Sequence, residues 1–328
     1  MKRQKNAMRY DIMTSCDSNL LKYVAVQLYS ISVNLKNSFV HFYLFHRDIP
    51  AKDLQPLEAL CHQFGNISFH TVKVPESEKY DILARHGGGW CGEAYYSLCS
   101  HILLPEHVKR VLYIDAGDII FTGNIVHYYN SNFEGKALIC TSSRFEWRDG
   151  SMVPFEETNF DTPEGFMAIC RGLFNSGSYL INLDKLRDAQ LTIDDWLDFS
   201  QSLCELSGKQ DTSHIYWGDQ GLLSAAFADD LKFYGFPQDK KVWLMPYIPY
   251  NFYIGYYNNR SIPPDYQPAV VHFTGGPKPW KMRYPGTLDR FSSGEISFET
   301  LKEGQAQWYN MWYEYAASTD QLLKKFGY

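Results

Sequence analysis

Apolar and polar residues near the N-terminus follow a pattern that predicts strands separated by helices. Residues 10–16 form a short apolar run typical of a buried strand, and residues 20–35 carry apolar side chains at helical spacing. A strand at residues 39–45, a helix at residues 51–64 and a strand at residues 67–72 follow. Strands that alternate with helices in this way predict an α/β protein with a Rossmann-like sheet.

The rest of the chain contains further strands and helices, interrupted by stretches without apolar periodicity. Strands are predicted at residues 111–114, 136–141, 180–183 and 269–273, and helices at residues 94–104, within 184–206, at 217–227 and within 297–328. Loops or irregular structure are expected at residues 76–93, 142–165 and 238–266. We therefore expect a main domain over residues 1–285 and a helical segment over residues 286–328 that packs on it.

Two of the predicted helices carry features that refine this picture. Ser18 and Asn19 precede the first helix and are residue types favoured at helix N-caps, so one of them is expected to cap it. The C-terminal helix is rich in aromatic residues and can either pack on the body or lie on the inner face of a membrane. Its charges are mixed in sign rather than strongly basic, which favours packing.

Composition describes a globular protein that does not bind nucleic acid. Of the 328 residues, 45% are hydrophobic and 21% are charged, and the net charge is −6. A nucleic-acid-binding protein needs a basic excess to neutralise phosphates, so that class is disfavoured. Aromatic residues make up 16% of the chain, which suits carbohydrate stacking as well as an ordinary core.

Cysteine usage and the lack of a long apolar run predict a cytoplasmic protein. The seven cysteines are odd in number and form no C-x-x-C pair, a pattern that favours reduced thiols over disulfides or a zinc site. Lys2, Arg3 and Lys5 are not followed by the apolar region of a signal peptide. No run approaches the roughly 18 apolar residues of a membrane span.

The chemistry of the chain centres on two acids that follow a predicted central strand. Asp115 and Asp118 come directly after residues 111–114, and apolar residues resume at Ile119. Ligands of open α/β sheets bind at the carboxyl ends of strands, and paired carboxylates there suit Mg²⁺ or Mn²⁺. In the alternative interpretation, Asp115 caps the following turn and Asp118 is a turn residue beside Gly117. The chain has no G-x-G-x-x-G and no Walker sequence, which disfavours those phosphate sites.

Four separated segments, in order, resemble the motif set of glycosyltransferase family 8. They are Cys-Asp-Ser-Asn at residues 16–19, Tyr-Ile-Asp-Ala-Gly-Asp at 113–118, Phe-Asn-Ser-Gly-Ser-Tyr-Leu-Ile-Asn at 174–182 and His-Phe-Thr-Gly-Gly-Pro-Lys-Pro-Trp at 272–280. The pair Asp219-Gln220 is similar to the Asp-Gln pair of the family. The resemblance extends over about residues 9–281 and points to the bacterial lipopolysaccharide and general glycosyltransferase type.

The resemblance implies an enzyme that uses a nucleotide sugar. It implies a GT-A fold, a mixed sheet flanked by helices, and a donor that is usually UDP-glucose or UDP-galactose. It also implies a divalent cation, Mn²⁺ or Mg²⁺, and transfer with retention of the anomeric configuration. The acceptor would be a hydroxyl of a glycan, a lipopolysaccharide or a glycoprotein. A front-face displacement is the expected mechanism, because Gln220 is a poor nucleophile.

Carried over residue by residue, the resemblance assigns expected roles. Metal ligands would be Asp115, Asp118 and His272. Donor contacts would be Asp17 and Asn19 at the uridine, Asn175 and Asp219 at the sugar, Gly275 and Lys278 at the diphosphate, with Ala116 and Ser176 in the same set. Gln220 would lie by the anomeric carbon and, with Asp219, form the catalytic pair. Considered alone, His272 is better explained as a structural imidazole at a strand end, whereas the run at residues 272–280 as a whole favours a functional role.

The chain departs from the family pattern at two places. The family usually has Asp-x-Asp, whereas two residues separate Asp115 from Asp118. Since alternate residues of a strand point to one side, this spacing needs a turn or bulge, which Gly117 can provide. His101 stands where the family commonly has an arginine that contacts the donor.

Two other functions are compatible with the same residues. A glycoside hydrolase also uses paired acids, although it needs no metal and no phosphate-binding residues. A non-catalytic relative would bind a sugar nucleotide or a glycan without transferring it.

Overall fold

The computed structural model of the protein describes residues 8–88, 90–142, 145–148, 151–154, 174–207, 218–234, 250–251, 268–274, 277–285, 289–301 and 305–328. The strands are β1 (Arg9–Ser15), β2 (Phe39–His46), β3 (Ile67–Lys73), β4 (Arg110–Ile114), β5 (Ile119–Phe121), β6 (Leu138–Ser142), β7 (Phe145–Arg148), β8 (Ser151–Pro154), β9 (Phe174–Asn182), β10 (Leu231–Phe233), β11 (Tyr250–Asn251) and β12 (Val270–His272). The α-helices are α1 (Leu21–Asn34), α2 (Ala51–Phe64), α3 (Ser77–His86), α4 (Ser100–Leu103), α5 (Val126–Tyr129), α6 (Leu183–Ala189), α7 (Ile193–Ser207), α8 (Gly218–Ala226) and α9 (Ala306–Lys325).

The main sheet of the described residues is mixed and confirms the predicted α/β fold class. Its strand order is β10, β6, β9, β4, β1, β2, β3. Strands β4, β1, β2 and β3 run parallel to one another, and β9 runs antiparallel to both β4 and β6. The chain leaves β1 towards β2 and later returns to its other side as β4. Strand order therefore reverses between β1 and β4, which is where open α/β sheets bind ligands.

Helices cover both faces of this sheet, so its central strands are buried on both sides. In β4, Leu112 and Ile114 belong to a core that includes residues of α1, α2 and α9. Val111 and Tyr113 belong to a second core that includes residues of α3, α6, α7 and α8. Burial on both faces explains why β4 is a continuous apolar run that stops where the acids begin.

The first helix begins with a different cap from the one predicted. Asp17 caps the 3-10 turn that precedes α1, since its Oδ1 accepts a hydrogen bond from the amide of Asn19 at 2.9 Å, and α1 itself has Leu20 as its N-cap without a side-chain bond. A 3-10 turn, Ser18–Leu20, then leads into α1. The prediction of Ser18 or Asn19 was therefore wrong, because both lie inside this turn.

Residues 76–93, predicted to be a loop, are partly helical. Helix α3 buries Tyr80, Leu83 and Ala84, which recur at helical spacing on one short stripe. A 3-10 helix, Gly92–Cys99, occupies most of the region predicted as an α-helix at residues 94–104. The stripe of α3 is only about one turn long, so the neighbouring polar residues and glycines concealed it in the sequence.

Two other predicted boundaries were wrong by several residues. β9 begins at Phe174, not near residue 180, because its first residues are small or polar yet pair with neighbouring strands. α9 begins at Ala306, with only a 3-10 turn, Phe298–Thr300, before it. Most of the predicted irregular regions 142–165 and 238–266 lies outside the described residues; the described parts are the β7–β8 hairpin and β11.

The C-terminal helix packs against the body through its aromatic residues. Trp308, Trp312 and Ala316 are buried in the same core as α1. The hydroxyl of Tyr309 donates to the carbonyl of Pro277 at 2.7 Å, and that of Tyr315 donates to the carbonyl of Phe121 at 3.3 Å. This helix therefore contacts both the segment that follows β12 and the last residue of β5. In the described ranges, no helix has the length and apolarity required to cross a membrane.

A polar cluster lies on one face of β1, β2 and β3. Arg9 pairs with the buried Asp11 at 2.7 Å, and the hydroxyl of Tyr43 donates to the same carboxylate at 3.2 Å. Beside them, His41 Nδ1 and His70 Nε2 lie 3.1 Å apart. Burial, together with the positive charge of Arg9, lowers the pKa of both histidines from the ordinary 6.5, although Asp11 opposes this.

This cluster predicts a loss of stability in mild acid. With both pKa values lower in the folded protein, the unfolded chain binds more protons below about pH 6.5, so the free energy of unfolding should fall as the pH falls through that region. Urea unfolding between pH 5 and 8 measures the slope. The double variant His41→Gln/His70→Gln should reduce this slope, although His46, His86 and His101 will keep part of it because burial lowers their pKa values as well. The exposed His62→Gln should leave the slope unchanged. An unchanged slope in the double variant would contradict the prediction.

Candidate active site

The two acids lie on a tight turn between β4 and β5. The amide of Asp115 donates to the carbonyl of Gly177 at 2.9 Å, which continues the pairing of β4 with β9 beyond the last strand residue. Gly117 has a φ of +74°, a conformation that favours glycine, and a Cβ there would lie 2.6 Å from Cβ of Tyr23. The turn brings Asp115 and Asp118 to the same edge of the sheet despite their unusual spacing.

A buried glutamine fixes this turn from the side of α1. Nε2 of Gln27 donates to the carbonyl of Asp115 at 2.8 Å and to that of Ile119 at 3.1 Å. The side chain is fully buried, so these two bonds satisfy a donor group that water cannot reach. Gln27 thereby determines where the turn begins and ends.

His272 reaches the acids because β12 pairs antiparallel with β5, which places His272 opposite Ile119. Its Nε2 lies 3.4 Å from Oδ2 of Asp115, and one ligand atom each from Asp115, Asp118 and His272 lie within 4.8 Å of one another. The imidazole is only 2% exposed, and among the described residues neither ring nitrogen has a hydrogen-bond partner.

Apart from the 3.4 Å contact with Asp115, this buried imidazole has no polar partner among the described residues, which is unusual for a buried polar group. A divalent cation between the three side chains would supply the missing partner for one nitrogen. Two carboxylates and an imidazole form a ligand set suited to Mn²⁺ or Mg²⁺. The three residues therefore fit a metal site.

Gly177 is the residue that makes room for this arrangement. A Cβ at position 177 would lie 2.2 Å from Cε1 of His272 and 2.8 Å from Oδ2 of Asp115. Any side chain there would displace the imidazole or the carboxylate. Glycine is required at this position by close approach and not by its φ angle.

Lys278 brings a positive charge next to the acids. Its Nζ lies 2.5 Å from Oδ2 of Asp118 and also donates to the carbonyl of Phe273 at 3.2 Å. Trp280, two residues later, stacks on Tyr23 with ring centroids 4.1 Å apart and holds the segment against α1. Lys278 is thus placed to bind an anion that approaches the carboxylate pair.

A second polar group is formed by the start of β9 and the start of α8. The hydroxyl of Ser176 donates to Oδ1 of Asp219 at 3.1 Å, and the side-chain Nδ2 of Asn175 donates to Oε1 of Gln220 at 3.3 Å. The amide of Gly177 also donates to Oδ1 of Asn175 at 3.1 Å. These bonds orient four polar side chains next to the backbone that pairs with Asp115.

The acids of the site titrate differently because their neighbours differ. Burial raises the pKa of Asp219 to about 8, and the negative charge of Asp115 adds to this, while the bond from Ser176 opposes it. Burial and Asp115 also raise the pKa of Asp118, against the effect of Lys278. Burial alone would raise the pKa of Asp115, but His272, Lys278 and the hydroxyl of Tyr113 together lower it.

Of the remaining predicted residues, Asp17, Asn19 and Ala116 lie along the same edge. Asp17 and Asn19 are exposed just after β1, which neighbours β4 in the sheet, and Nδ2 of Asn19 donates to Oδ2 of Asp17 at 2.8 Å. Ala116 is buried within the acid turn. Gly275 lies outside the described residues. His101 does not join the site, because its Nε2 contacts the carbonyl of Leu191 at 2.9 Å.

Some residues that build the site carry no clear signal in the sequence. Gly177 and Tyr113 lie within recognisable motifs, but their contacts with His272 and Asp115 are visible only in three dimensions. Gln27 is a polar residue on the apolar face of a helix. A polar residue at such a position is the one cue that could have identified it.

Comparison with known families identifies the chain. The model of the family described as Glycosyl transferase family 8 matches residues 11–283, which include every site residue described above. A comparison with curated protein sequences finds no match.

Solved glycosyltransferase structures have a similar fold. The galactosyltransferase LgtC, solved with donor and acceptor sugar analogs, is 18% identical with a TM-score of 0.61, over 94% of this chain and 95% of that one. GlyE of Streptococcus pneumoniae is 17% identical with a TM-score of 0.58, over 96% of this chain and 63% of that one. Mouse xyloside xylosyltransferase 1 is 13% identical with a TM-score of 0.50, over 81% and 97%.

At such low identity these structures show a shared fold, which is the GT-A fold expected from the motifs. The family match supplies what structural likeness alone does not, because it extends over most of the sequence. This chain belongs to glycosyl transferase family 8 and is a glycosyltransferase with a GT-A fold.

Proposed function

We propose that this protein is a retaining, metal-dependent hexosyltransferase that moves glucose or galactose from a UDP-sugar to a hydroxyl of a glycan or glycoconjugate. The observation that carries the proposal is the convergence of Asp115, Asp118 and His272 beside Lys278. Carboxylates, an imidazole and a lysine together suit a cation bound to a diphosphate. Paired acids alone would not require the lysine or the buried imidazole.

The leaving group determines what these residues must do. Negative charge grows on the diphosphate as its bond to the sugar breaks, and preorganised positive groups stabilise that charge. Lys278 would meet a phosphate oxygen directly once the diphosphate competes with Asp118 for its ammonium. A cation held by Asp115, Asp118 and His272 would act there as a Lewis acid. Gly275 is proposed to bring backbone amides close to the same phosphates.

The other polar residues are proposed to hold the rest of the donor. Asp17 and Asn19, at the end of β1, would contact the uridine, with Ala116 lining the donor site beside them. Asn175, Ser176 and Asp219 would hydrogen-bond the sugar hydroxyls, since their side chains already orient one another. A carboxyl group such as Asp219, with a pKa of about 8, can donate or accept such bonds near neutral pH.

Retention is proposed to follow from a front-face displacement. The bond between sugar C1 and the diphosphate oxygen breaks as the acceptor oxygen bonds to C1 on the same face. The acceptor proton passes to the departing diphosphate oxygen, so no protein base is required. Gln220 would lie by C1, and its amide, held by Asn175, would stabilise the positive charge that develops on the sugar.

We also propose a cytoplasmic location and a class of acceptor. The described cysteines are free thiols, as suits a protein of the cytoplasm. The acceptor is proposed to be a glycan, a lipopolysaccharide or a glycoprotein.

Removing one metal-site carboxylate should abolish turnover. We expect Asp118→Asn to lower kcat for Mn²⁺-dependent hydrolysis of UDP-glucose or UDP-galactose by about 100-fold or more, because charge stabilisation at the diphosphate is lost. Release of UDP is the measurement. Asp48→Asn, a surface acid paired with Lys73, is the control and should retain full activity. Equal activity in the two variants would show that the metal site is misplaced.

A hydrolase and a transferase respond differently to the nucleotide. Calorimetry with UDP should show binding that strengthens when Mn²⁺ is present. A glycoside hydrolase should ignore UDP under both conditions. A non-catalytic relative should bind UDP but release none from UDP-sugars.

A side chain at position 177 should disrupt the metal site without disrupting the fold. We expect Gly177→Ala to weaken Mn²⁺ binding in the presence of UDP by about tenfold or more, since the new methyl group displaces His272 or Asp115. Gly123→Ala is the matched control, because its methyl group would meet Ala269 at an ordinary 3.4–3.5 Å. Calorimetry in which both variants bind Mn²⁺ as tightly as the parent would refute the prediction.

Lys278 should matter for the reaction more than for folding. We expect Lys278→Gln to lower kcat by about 100-fold, because one positive charge at the leaving group is lost. Lys281→Gln, which changes a surface lysine near Glu295, should leave kcat unchanged. Both are measured by UDP release at saturating donor. A Lys278→Gln variant with full kcat would exclude the lysine from leaving-group stabilisation.

A further inference from the structure

One tryptophan lies open on the surface next to the sugar-binding side of the site. Trp90 is 57% exposed, whereas Trp308 and Trp312 are almost completely buried. An exposed indole contributes little hydrophobic free energy to folding. Exposed aromatic surface commonly marks a binding site. Trp90 has no part in the donor contacts proposed above.

Contacts to α8 fix the position of this indole. A Cβ on Gly218 would lie 3.1 Å from Cδ1, 3.2 Å from Cγ and 3.3 Å from Nε1 of Trp90, so the five-membered ring rests on the glycine backbone. Gly218 has a φ of +60°, which also favours glycine. Its amide donates to the carbonyl of Gly87 at 3.1 Å, which ties the segment before Trp90 to the same helix start.

This packing places the indole against the start of α8, the helix that carries Asp219 and Gln220. Asp219 and Gln220 directly follow Gly218, and both are hydrogen-bonded to β9 beside the metal site. One part of the indole is supported by the helix start, and more than half of its surface stays open. A ligand that stacks on Trp90 would therefore lie next to the residue proposed to adjoin the anomeric carbon.

The chemistry of the surface indicates the kind of ligand. An indole offers a flat apolar surface with one N–H donor, which matches a pyranose ring, with its apolar C–H face and surrounding hydroxyls. The donor sugar already has polar partners on β9 and α8. We propose that Trp90 forms an acceptor subsite, where it stacks on the pyranose ring of the saccharide that receives the transferred sugar. This inference rests on the proposed function.

Steady-state kinetics with a panel of saccharide acceptors tests the subsite. We expect Trp90→Ala to raise the acceptor KM about tenfold or more, and to leave both UDP affinity and acceptor-free hydrolysis of the UDP-sugar unchanged. Trp90→Phe should stay within about threefold of the parent because it retains a flat ring. Trp90→Leu should behave like Trp90→Ala because it retains only apolar bulk. Ile102→Ala, at the same 57% exposure, is the control and should change nothing.

A loss of UDP affinity in Trp90→Ala would overturn the proposal, since the indole would then stack on the uracil of the donor. An unchanged acceptor KM in Trp90→Ala would overturn it as well. Binding of the parent protein to an array of immobilised glycans, with UDP and Mn²⁺ present, separates this inference from the proposed function. Glycan binding that is lost in Trp90→Ala supports the subsite even if no UDP-sugar is turned over. Absence of glycan binding by the parent protein would refute it.

Discussion

The pairing of β5 with β12 is the constraint on which the site depends. The two strands are short, yet they return His272 to within 3.4 Å of Asp115 from far along the chain. A further backbone hydrogen bond, from the amide of Phe273 to the carbonyl of Asp118 at 2.9 Å, fixes the register of the two strands next to His272. Slippage by one residue would turn the imidazole to the opposite face of the strand. The arrangement of Asp115, Asp118 and His272 therefore depends on backbone pairing as much as on the three side chains themselves.

Electrostatic repulsion is concentrated at the same place. Asp115, Asp118 and Asp219 lie close enough for the charge of Asp115 to raise the pKa of the other two. Lys278 offsets part of this repulsion, and His272 offsets part of it at Asp115. Repulsion between the carboxylates of such a cluster destabilises the folded protein but attracts a cation. Clusters of this kind are common at functional sites. The surrounding framework is correspondingly rigid and apolar, with helices on both faces of the sheet.

Sequence reasoning located the acids because they break an apolar run where a buried strand ends, and it located His272 only through the resemblance to the family motif. It located the family because several such breaks occur in a recognisable order. It missed α3, whose apolar stripe is too short to be distinguished from its polar surroundings. It also gave Gly177 and Trp90 no role. Gly177 matters because His272 lies against it, and Trp90 matters because it packs on Gly218. Contacts of this kind join distant segments and leave no periodic pattern in the sequence.

The tyrosines of α9 link the end of the chain to the catalytic edge. Tyr309 bonds to the carbonyl of Pro277, immediately before Lys278, and Tyr315 bonds to the last carbonyl of β5. The final helix thus supports the segment that carries Lys278 and the end of the strand that follows the acid turn. Deleting it would remove two buried indoles from the core and would also remove the hydrogen bond to the carbonyl of Pro277, the residue before Lys278. A substitution on the inner face of this helix would therefore change the position of Lys278 through the backbone that the helix supports, although the helix itself lies outside the acid turn.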